Sequence, residues 1–267
     1  MRKLFFSMIA FLFTVTTLHA GQADINVDRT QLWSNLIYKA KITQSGFGVF
    51  TRYASRYNTD FDKEVNGVTK DDETQGSWLN DLFIGPSFVK KFSPRFKLFT
   101  SPQYRPMFFY LDEAKDADPE SYVEHTIHWP TVLSYKTDFM TLSYRLILWN
   151  RFETDFTQGG KEIETDNEFL TRHNFGVSIP VHKKVNIDLS EEIFLLHTAD
   201  DGQETFWRNA LWGGVTIKPG VKGLAVKLGY VHFLTFKEDS LTRDIDVNDH
   251  HFTFSLVYSM DFSKKKK

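Results

Sequence analysis

Apolar and polar residues alternate one by one along most of the chain, and the pattern is clearest near its end. Because successive side chains of a β-strand point to opposite faces of the sheet, this period of two predicts a half-buried strand. One face carries Phe252, Phe254, Leu256, Tyr258, Met260 and Phe262, and the other carries Thr253, Ser255, Val257, Ser259 and Asp261.

Eleven segments carry this alternation, and short and long connections follow one another between them. The segments cover 32–42, 47–58, 78–92, 96–111, 121–136, 140–153, 169–182, 185–198, 206–218, 224–236 and 250–262. The long connections lie at 59–77, 112–120, 154–168, 199–205 and 237–249. Short turns at one end and long loops at the other are typical of outer-membrane barrels, with the long loops outside the cell. The sequence therefore predicts an all-β fold, a transmembrane antiparallel up-and-down β-barrel.

The number of strands raises a question of parity. Bacterial single-chain barrels have an even number of strands, whereas the segments are odd in number. Either Ala23 to Arg29 supplies a short additional strand, or the N-terminal part of the mature chain passes through the lumen. We predict 12 strands, with 10 as the alternative if one segment is misread.

The first residues have the three parts of a secretory signal peptide. Arg2 and Lys3 form its basic part, Leu4 to Thr17 its apolar part, and Ala20 is the small residue at the cleavage site. The apolar part is too short for a spanning helix, and a retained N-terminal anchor is the alternative. We predict a signal peptide at 1–20, a barrel domain at 21–263 and a basic tail at 264–267, which lies either on lipid headgroups or in solvent.

Composition supports this fold and excludes several classes of site. The chain has 26 Phe and 16% aromatic residues, which fits lipid contact and aromatic girdles at the membrane surfaces. It has no cysteine, which excludes disulfides, thiolate zinc sites and a cysteine nucleophile. A mean hydropathy of −0.35 is ordinary for a barrel, because half of each strand faces a polar lumen. A net charge of −2 gives no reason to expect nucleic acid as a partner.

Four short motifs give the chain a resemblance to a known family. They are Gln31-Leu-Trp-Ser-Asn-Leu36, Phe175-Gly-Val-Ser-Ile-Pro180, Ser190-Glu-Glu-Ile-Phe194 and Gly229-Tyr-Val-His232. With them the chain resembles an uncharacterised bacterial outer-membrane β-barrel family known only as a domain of unknown function. The resemblance covers most of 31–262 and implies a small outer-membrane barrel, with no established activity and no functional residues.

Placing the apolar face of each strand outward leaves charged side chains for the lumen. Such charges are costly inside a narrow barrel unless they are paired or hydrated. Two interpretations stay open: a basic constriction that selects anionic solutes, and an Arg–Glu network that plugs the lumen. The candidate lumen residues are Arg52, Arg56, Arg105, Arg145, Arg151, Arg172, Arg208, Lys227, Glu124 and Glu192, and Asp188 and Asp261 share their faces.

Enzymatic chemistry has little support in the sequence. A lipid hydrolase or deacylase of the outer membrane needs a serine nucleophile and a histidine base, and the His-x-Ser signature of such enzymes does not occur here. His232, on a predicted outward face, is the most suggestive histidine. His125 and His128 stand three residues apart in a strand, so they face opposite sides and cannot share a metal ion. We predict no catalytic residue, no metal and no cofactor.

The sequence favours an outer-membrane β-barrel with a structural or passive transport role, one form of which is a narrow pore with a basic lumen. A lipid-modifying enzyme and a soluble secreted β-sandwich are the alternatives. Phe262 resembles the closing aromatic residue that the outer-membrane assembly machinery reads, although Ser263 and four lysines follow it. The predicted partners are this machinery, outer-membrane lipid, lipopolysaccharide and small anionic solutes, and the barrel is predicted to be a monomer in the bacterial outer membrane.

Overall fold

The computed structural model describes residues 27–59, 64–65, 68–69, 78–111, 120–152, 156–158, 161–163, 168–197, 204–236 and 245–263. The predicted signal peptide, the basic tail and most of the long loops lie outside this part of the chain, so they stay predictions. None of the described residues forms a helix long and apolar enough to cross a membrane.

Twelve strands form one sheet, and each lies within or overlaps an alternating segment; the segment 96–111 is divided into two strands, and the other strands differ from their segments only at their ends. The strands are β1 (Val27–Lys41), β2 (Phe47–Thr59), β3 (Trp78–Lys91), β4 (Phe96–Thr100), β5 (Gln103–Leu111), β6 (Glu120–Lys136), β7 (Thr141–Arg151), β8 (Glu168–His182), β9 (Val185–His197), β10 (Glu204–Ile217), β11 (Leu224–Phe236) and β12 (Ile245–Asp261). Two small hairpins, Glu64–Val65 with Val68–Thr69 and Phe156–Gln158 with Lys161–Ile163, lie in long connections. The predicted all-β barrel is confirmed, and its sheet has 12 strands, which form a closed wall of 11 positions with one extra strand.

The sheet closes by one parallel pair of strands. β4 and β5 occupy the same place between β3 and β6, so the wall has an odd number of positions. Strands that alternate in direction around an odd number of positions must meet in parallel once. This occurs between β1 and β12, in register from Val27↔Val247 to Lys41↔Asp261, and the other strand pairs are antiparallel.

This closure differs from the additional strand that the sequence suggested, whereas residues 21–26, on which the alternative of a chain through the lumen depends, lie outside the described part of the chain. Val27 to Arg29 continue β1 and do not form a separate strand, and β1 pairs directly with β12. The twelfth strand arises elsewhere, from the division of one wall position into β4 and β5. Direct pairing of β1 with β12 leaves no exposed sheet edge, so a further strand is unnecessary.

Prolines separate β4 from β5 in the wall position that these two strands share. Pro102 follows Ser101 between β4 and β5, and Pro86 and Pro130 lie on the neighbouring strands β3 and β6. Because proline has no backbone N–H, the ladder of hydrogen bonds cannot continue through these residues. Ser101 compensates for this, since its N–H donates to the Pro130 carbonyl at 3.1 Å and its hydroxyl donates to the Pro86 carbonyl at 2.7 Å.

The short connections lie together at one end of the barrel, termed the short-turn end; the opposite end is the long-loop end. Gly46, between β1 and β2, has a φ of +109°, and Gly223, before β11, has a φ of +83°. This left-handed region favours glycine. A Cβ would also lie 1.9 Å from the Val89 carbonyl oxygen at Gly46 and 2.1 Å from the Ser259 carbonyl oxygen at Gly223. The glycines thus let the turns pack against the next strand.

The period of two sorts side chains between the outside and the lumen. On β1, Leu32 and Leu36 are exposed on the outward face, whereas Trp33 and Asn35 are buried on the inward face. The same division continues around the wall because the paired strands keep their register. The core of the protein is therefore its lumen.

The parallel closure places Leu36 directly opposite Leu256 on the outer surface. Because the chain has no native cysteine, a Leu36→Cys/Leu256→Cys variant tests this pairing cleanly. We expect dibromobimane to link the two thiols efficiently, since adjacent strands lie about 4.8 Å apart. The measurement is the fluorescence that the reagent gains on bridging. Leu36→Cys/Val226→Cys is the control, because Val226 pairs with Leu256 one strand further away; equal cross-linking of both variants would contradict the closure.

Candidate functional site in the lumen

Strand pairing places the backbone of all ten candidate lumen residues at inward positions. Arg56, for example, lies opposite Trp33, and Arg172 lies opposite Phe194. The side chain of Glu124 lies outside the described part of the chain, although its backbone pairs with Met107 at an inward position. Seven of the other nine candidates fall into two buried clusters and one cavity. Arg208 lies apart from them and donates a hydrogen bond to the Thr235 hydroxyl at 2.8 Å, with its guanidinium 5.3 Å from the Phe233 ring centroid. Arg151 lies at the end of β7, opposite Thr126 of β6 and Glu168 of β8.

Asp81 of β3 is the centre of the first cluster. Its carboxylate is fully buried and accepts hydrogen bonds from Arg56 at 2.6 Å and from Arg105 at 3.0 Å. The Arg105 guanidinium lies 4.8 Å from the ring centroid of Phe83 and 4.9 Å from that of Trp149. One carboxylate and two aromatic faces therefore stabilise cations that would be costly to bury alone.

Glu192 of β9 is the centre of the second cluster. It is also fully buried, and it accepts hydrogen bonds from Arg145 at 3.1 Å and from Arg172 at 2.8 Å. The Arg172 guanidinium lies 4.4 Å from the ring centroid of Phe194, two residues along the same strand as Glu192. Both Glu192 and Phe194 belong to the motif at 190–194, so this motif contributes to the lumen.

Aromatic rings join the two clusters. The Arg56 guanidinium lies 4.5 Å from the Trp33 ring, and the Trp33 ring lies 5.8 Å from that of Phe233. The Phe233 ring centroid in turn lies 6.0 Å from that of Phe194, the ring that the Arg172 guanidinium contacts. These contacts form a continuous path of side chains between β2 and β8, and His251 packs on it with its ring 4.4 Å from Trp33. This closing layer consists of Trp33, Arg56, Asp81, Arg105, Arg145, Arg172, Glu192, Phe194 and Phe233.

A chamber lies between the closing layer and the short-turn end. It consists of adjoining cavities of about 560 and 450 Å³, which share Ile37, Arg52, Val132, Ser134, Arg145 and Lys227. Serine, threonine, asparagine and glycine dominate the wall of the larger cavity. Phe50, Phe83 and Phe99 contribute to the wall of the smaller one, which reaches Lys41 and Met260 at the ends of β1 and β12.

The wall of the chamber is strongly basic. The smaller cavity is lined by Lys39, Lys41, Lys97, Lys227, Arg52 and Arg145, and none of the described carboxylates belongs to its lining. Arg52 donates two hydrogen bonds to the amide oxygen of Asn35, at 2.9 and 2.7 Å, which leaves its charge uncompensated by that partner. Asp188 lines the larger cavity and accepts a hydrogen bond from Thr216. A concave surface with this excess of positive charge attracts anions.

A comparison with known protein families agrees with the family resemblance that the four sequence motifs indicated. The family described as "Protein of unknown function (DUF2490)" matches residues 30–242. The chain belongs to this family. The resemblance drawn from the sequence is thereby confirmed. No curated protein matches the chain.

A solved structure with similarity to this chain is the β domain of the Bordetella autotransporter BrkA. Its sequence identity to this chain is 13%, and the TM-score is 0.48 over 80% of this chain and 83% of that one.

The histidines divide between the two faces. His128 is buried on the inward face of β6, whereas His125 faces outward and is hydrogen-bonded to Tyr104, so the two lie on opposite sides of the strand as the spacing predicts. His232 also faces outward, and its ring stacks on that of His250 with centroids 5.0 Å apart.

Sequence reasoning missed Asp81, Lys39 and Lys97. The alternation does not indicate that Asp81 faces the lumen, because its strand is apolar on both faces, with Leu82 outside and Phe83 inside. Lys39 could have been found, because it lies an even number of residues after Trp33 along β1 and therefore faces the same side of the strand. Lys97 follows from the same parity on β4, where it pairs with Ser134.

Removal of the Asp81 charge is expected to destabilise the barrel strongly. Asp81→Asn leaves Arg56 and Arg105 buried without their shared anion, which costs about 3 to 5 kcal/mol when one partner of a buried pair is lost. The measurement is the free energy of unfolding in urea, with the protein in lipid vesicles. The control is Asp138→Asn, which breaks an exposed 3.1 Å pair with Arg95 and is expected to cost less than about 1 kcal/mol. Equal losses in the two variants would contradict the role of Asp81.

Proposed function

We propose that the protein is a monomeric β-barrel of the bacterial outer membrane with a structural role, and that its lumen is closed to the passage of solutes. The observation that carries the proposal is the closing layer, in which two buried carboxylates, their arginines and several aromatic rings form a continuous path of contacts from β2 to β8, two strands on opposite sides of the barrel. The long loops would face the outside of the cell and the short turns the periplasm.

The outward face supports insertion in a membrane. Exposed apolar side chains continue around the wall, among them Leu36 on β1, Leu148 on β7 and Phe254 on β12. A closed barrel is one of the few structures whose backbone can face lipid, because every strand edge is paired. A soluble β-sandwich would not present so large an apolar surface to water.

Aromatic residues mark both ends of this apolar face. Near the long-loop end, the outward Tyr–His pairs Tyr104–His125, Tyr144–His173 and Tyr230–His250 recur, and each histidine lies five residues after the first residue of its strand. At the short-turn end, Phe47, Phe92, Phe139 and Phe262 are exposed. Amphipathic aromatic residues favour the two membrane–water interfaces, so these positions fit two girdles.

The inward face supports a closed lumen. Leu170 and Leu196 are buried on the inward face between the closing layer and the long-loop end, together with Thr235 and Asp249, so side chains of mixed polarity fill part of that half of the lumen. An open pore would instead need a continuous lining of hydrated polar groups. The outward stacking of His232 on His250 provides no nucleophile, so the geometry does not favour the lipid-modifying enzyme.

The wild-type protein is expected to be silent in single-channel recordings in planar lipid bilayers. A Trp33→Ala/Phe233→Ala variant removes the rings that join the two charge clusters while both carboxylates keep their arginine partners. We expect this variant to show conductance steps with a preference for anions, because the basic chamber then connects to the other end of the lumen.

The matched control is Leu36→Ala/Phe254→Ala, which removes comparable apolar side chains from the outward face and should stay silent. Stable steps in the wild-type protein that weaken on Arg145→Glu would contradict the closed lumen and support an anion-selective pore.

A further inference from the structure

We propose that the basic chamber binds a small amphiphilic anion, a molecule that carries a phosphate or carboxylate group on an apolar body. The proposal deepens the proposed function, on which it rests in one respect: the closing layer forms the blind end of the chamber. The ligand would enter at the short-turn end, where Lys41 and Met260 line the smaller cavity.

The charge of the smaller cavity requires an anion. None of the described carboxylates makes an ion pair with Lys39, Lys97 or Lys227, although all three line the cavity. Like charges that share a partly enclosed space repel one another more strongly than in bulk water, because less solvent screens them. A bound anionic group would relieve this repulsion and accept hydrogen bonds from several of these cations at once.

The wall beside the lysines is apolar, which indicates that the ligand is more than a simple inorganic ion. The Lys39 ammonium lies 5.5 Å from the ring centroid of Phe50 and 5.6 Å from that of Phe99. Val132 and Ile147 line the same cavity. An apolar body that covered these side chains would be removed from water together with them, which adds affinity in proportion to the area buried.

Two buried polar side chains of the same cavity have donor or acceptor atoms without a partner. Gln103 is 2% exposed and His128 is 6% exposed, and both line the smaller cavity. The Gln103 amide nitrogen and His128 Nδ1 have no hydrogen-bond partner among the described residues. Buried polar groups are normally hydrogen-bonded, so these atoms indicate a polar occupant beside them.

The size of the chamber suits a small organic molecule. The smaller cavity holds about 450 Å³ and adjoins the larger one of about 560 Å³. Pockets for small ligands usually measure about 300 to 1,000 Å³. The hydroxyl and amide groups of the larger cavity offer further hydrogen bonds to a polar end of the ligand.

Isothermal titration calorimetry tests the proposal on the full mature barrel in lipid nanodiscs, with empty nanodiscs as the blank. The probes are phenyl phosphate, inorganic phosphate and benzyl alcohol. We expect phenyl phosphate to bind at least about tenfold more tightly than inorganic phosphate, because its ring buries apolar surface, and benzyl alcohol to show no binding. Raising the salt concentration from about 0.05 to 0.5 M should weaken the binding of phenyl phosphate, because charges are then screened.

Lys39→Gln and Lys227→Gln should each raise the dissociation constant for phenyl phosphate by about tenfold, since each removes one charge-assisted contact. Lys184→Gln is the matched control, because Lys184 is exposed in the turn between β8 and β9 and should leave binding unchanged. Heat-modified migration on gels verifies that each variant folds. Absence of phenyl phosphate binding, or binding that both lumen variants leave unchanged, would overturn the proposal.

The two proposals fail separately. A conducting wild-type protein that still binds phenyl phosphate in a lysine-dependent manner would contradict the closed lumen alone. A silent protein that binds neither anion would contradict the ligand site alone.

Discussion

Two buried carboxylates, Asp81 and Glu192, hold the lumen together. Each is fully buried and each binds two arginines, so the charge of the arginines exceeds that of the acids. Such an arrangement is stable only if other groups compensate the remaining charge, and the aromatic rings of Phe83, Trp149 and Phe194 provide part of this compensation. The aromatic rings therefore act as electrostatic partners as well as packing groups.

The charge clusters also connect the wall. Asp81 of β3 binds arginines from β2 and β5, and Glu192 of β9 binds arginines from β7 and β8, so each acid links three strands of one region. The parallel pair of β1 and β12 lies between these regions and brings Trp33 beside His251. The parallel closure thus determines which inward side chains of β1 and β12 meet in the lumen.

The alternation along the chain was sufficient to predict the strands, the two faces and the inward arginines, because a period of two depends only on local backbone geometry. It could not reveal the parallel closure, since pairing between β1 and β12 joins distant parts of the chain. Asp81 was not predicted because both faces of β3 are apolar. The division of one wall position at Ser101 was not predicted because it depends on prolines of two other strands. Aromatic residues inside the lumen, such as Trp33, also violate the simple assignment of apolar faces to the outside.

One-sided labelling of a cysteine tests whether the closing layer separates the chamber from the long-loop end. Ser134 lines both cavities of the chamber, so Ser134→Cys reports access to it in a chain without native cysteines. The barrel is placed in vesicles with one orientation, and an anionic, membrane-impermeant methanethiosulfonate is added on one side only. We expect rapid modification from the short-turn side and none from the long-loop side. Similar rates from both sides would contradict this separation.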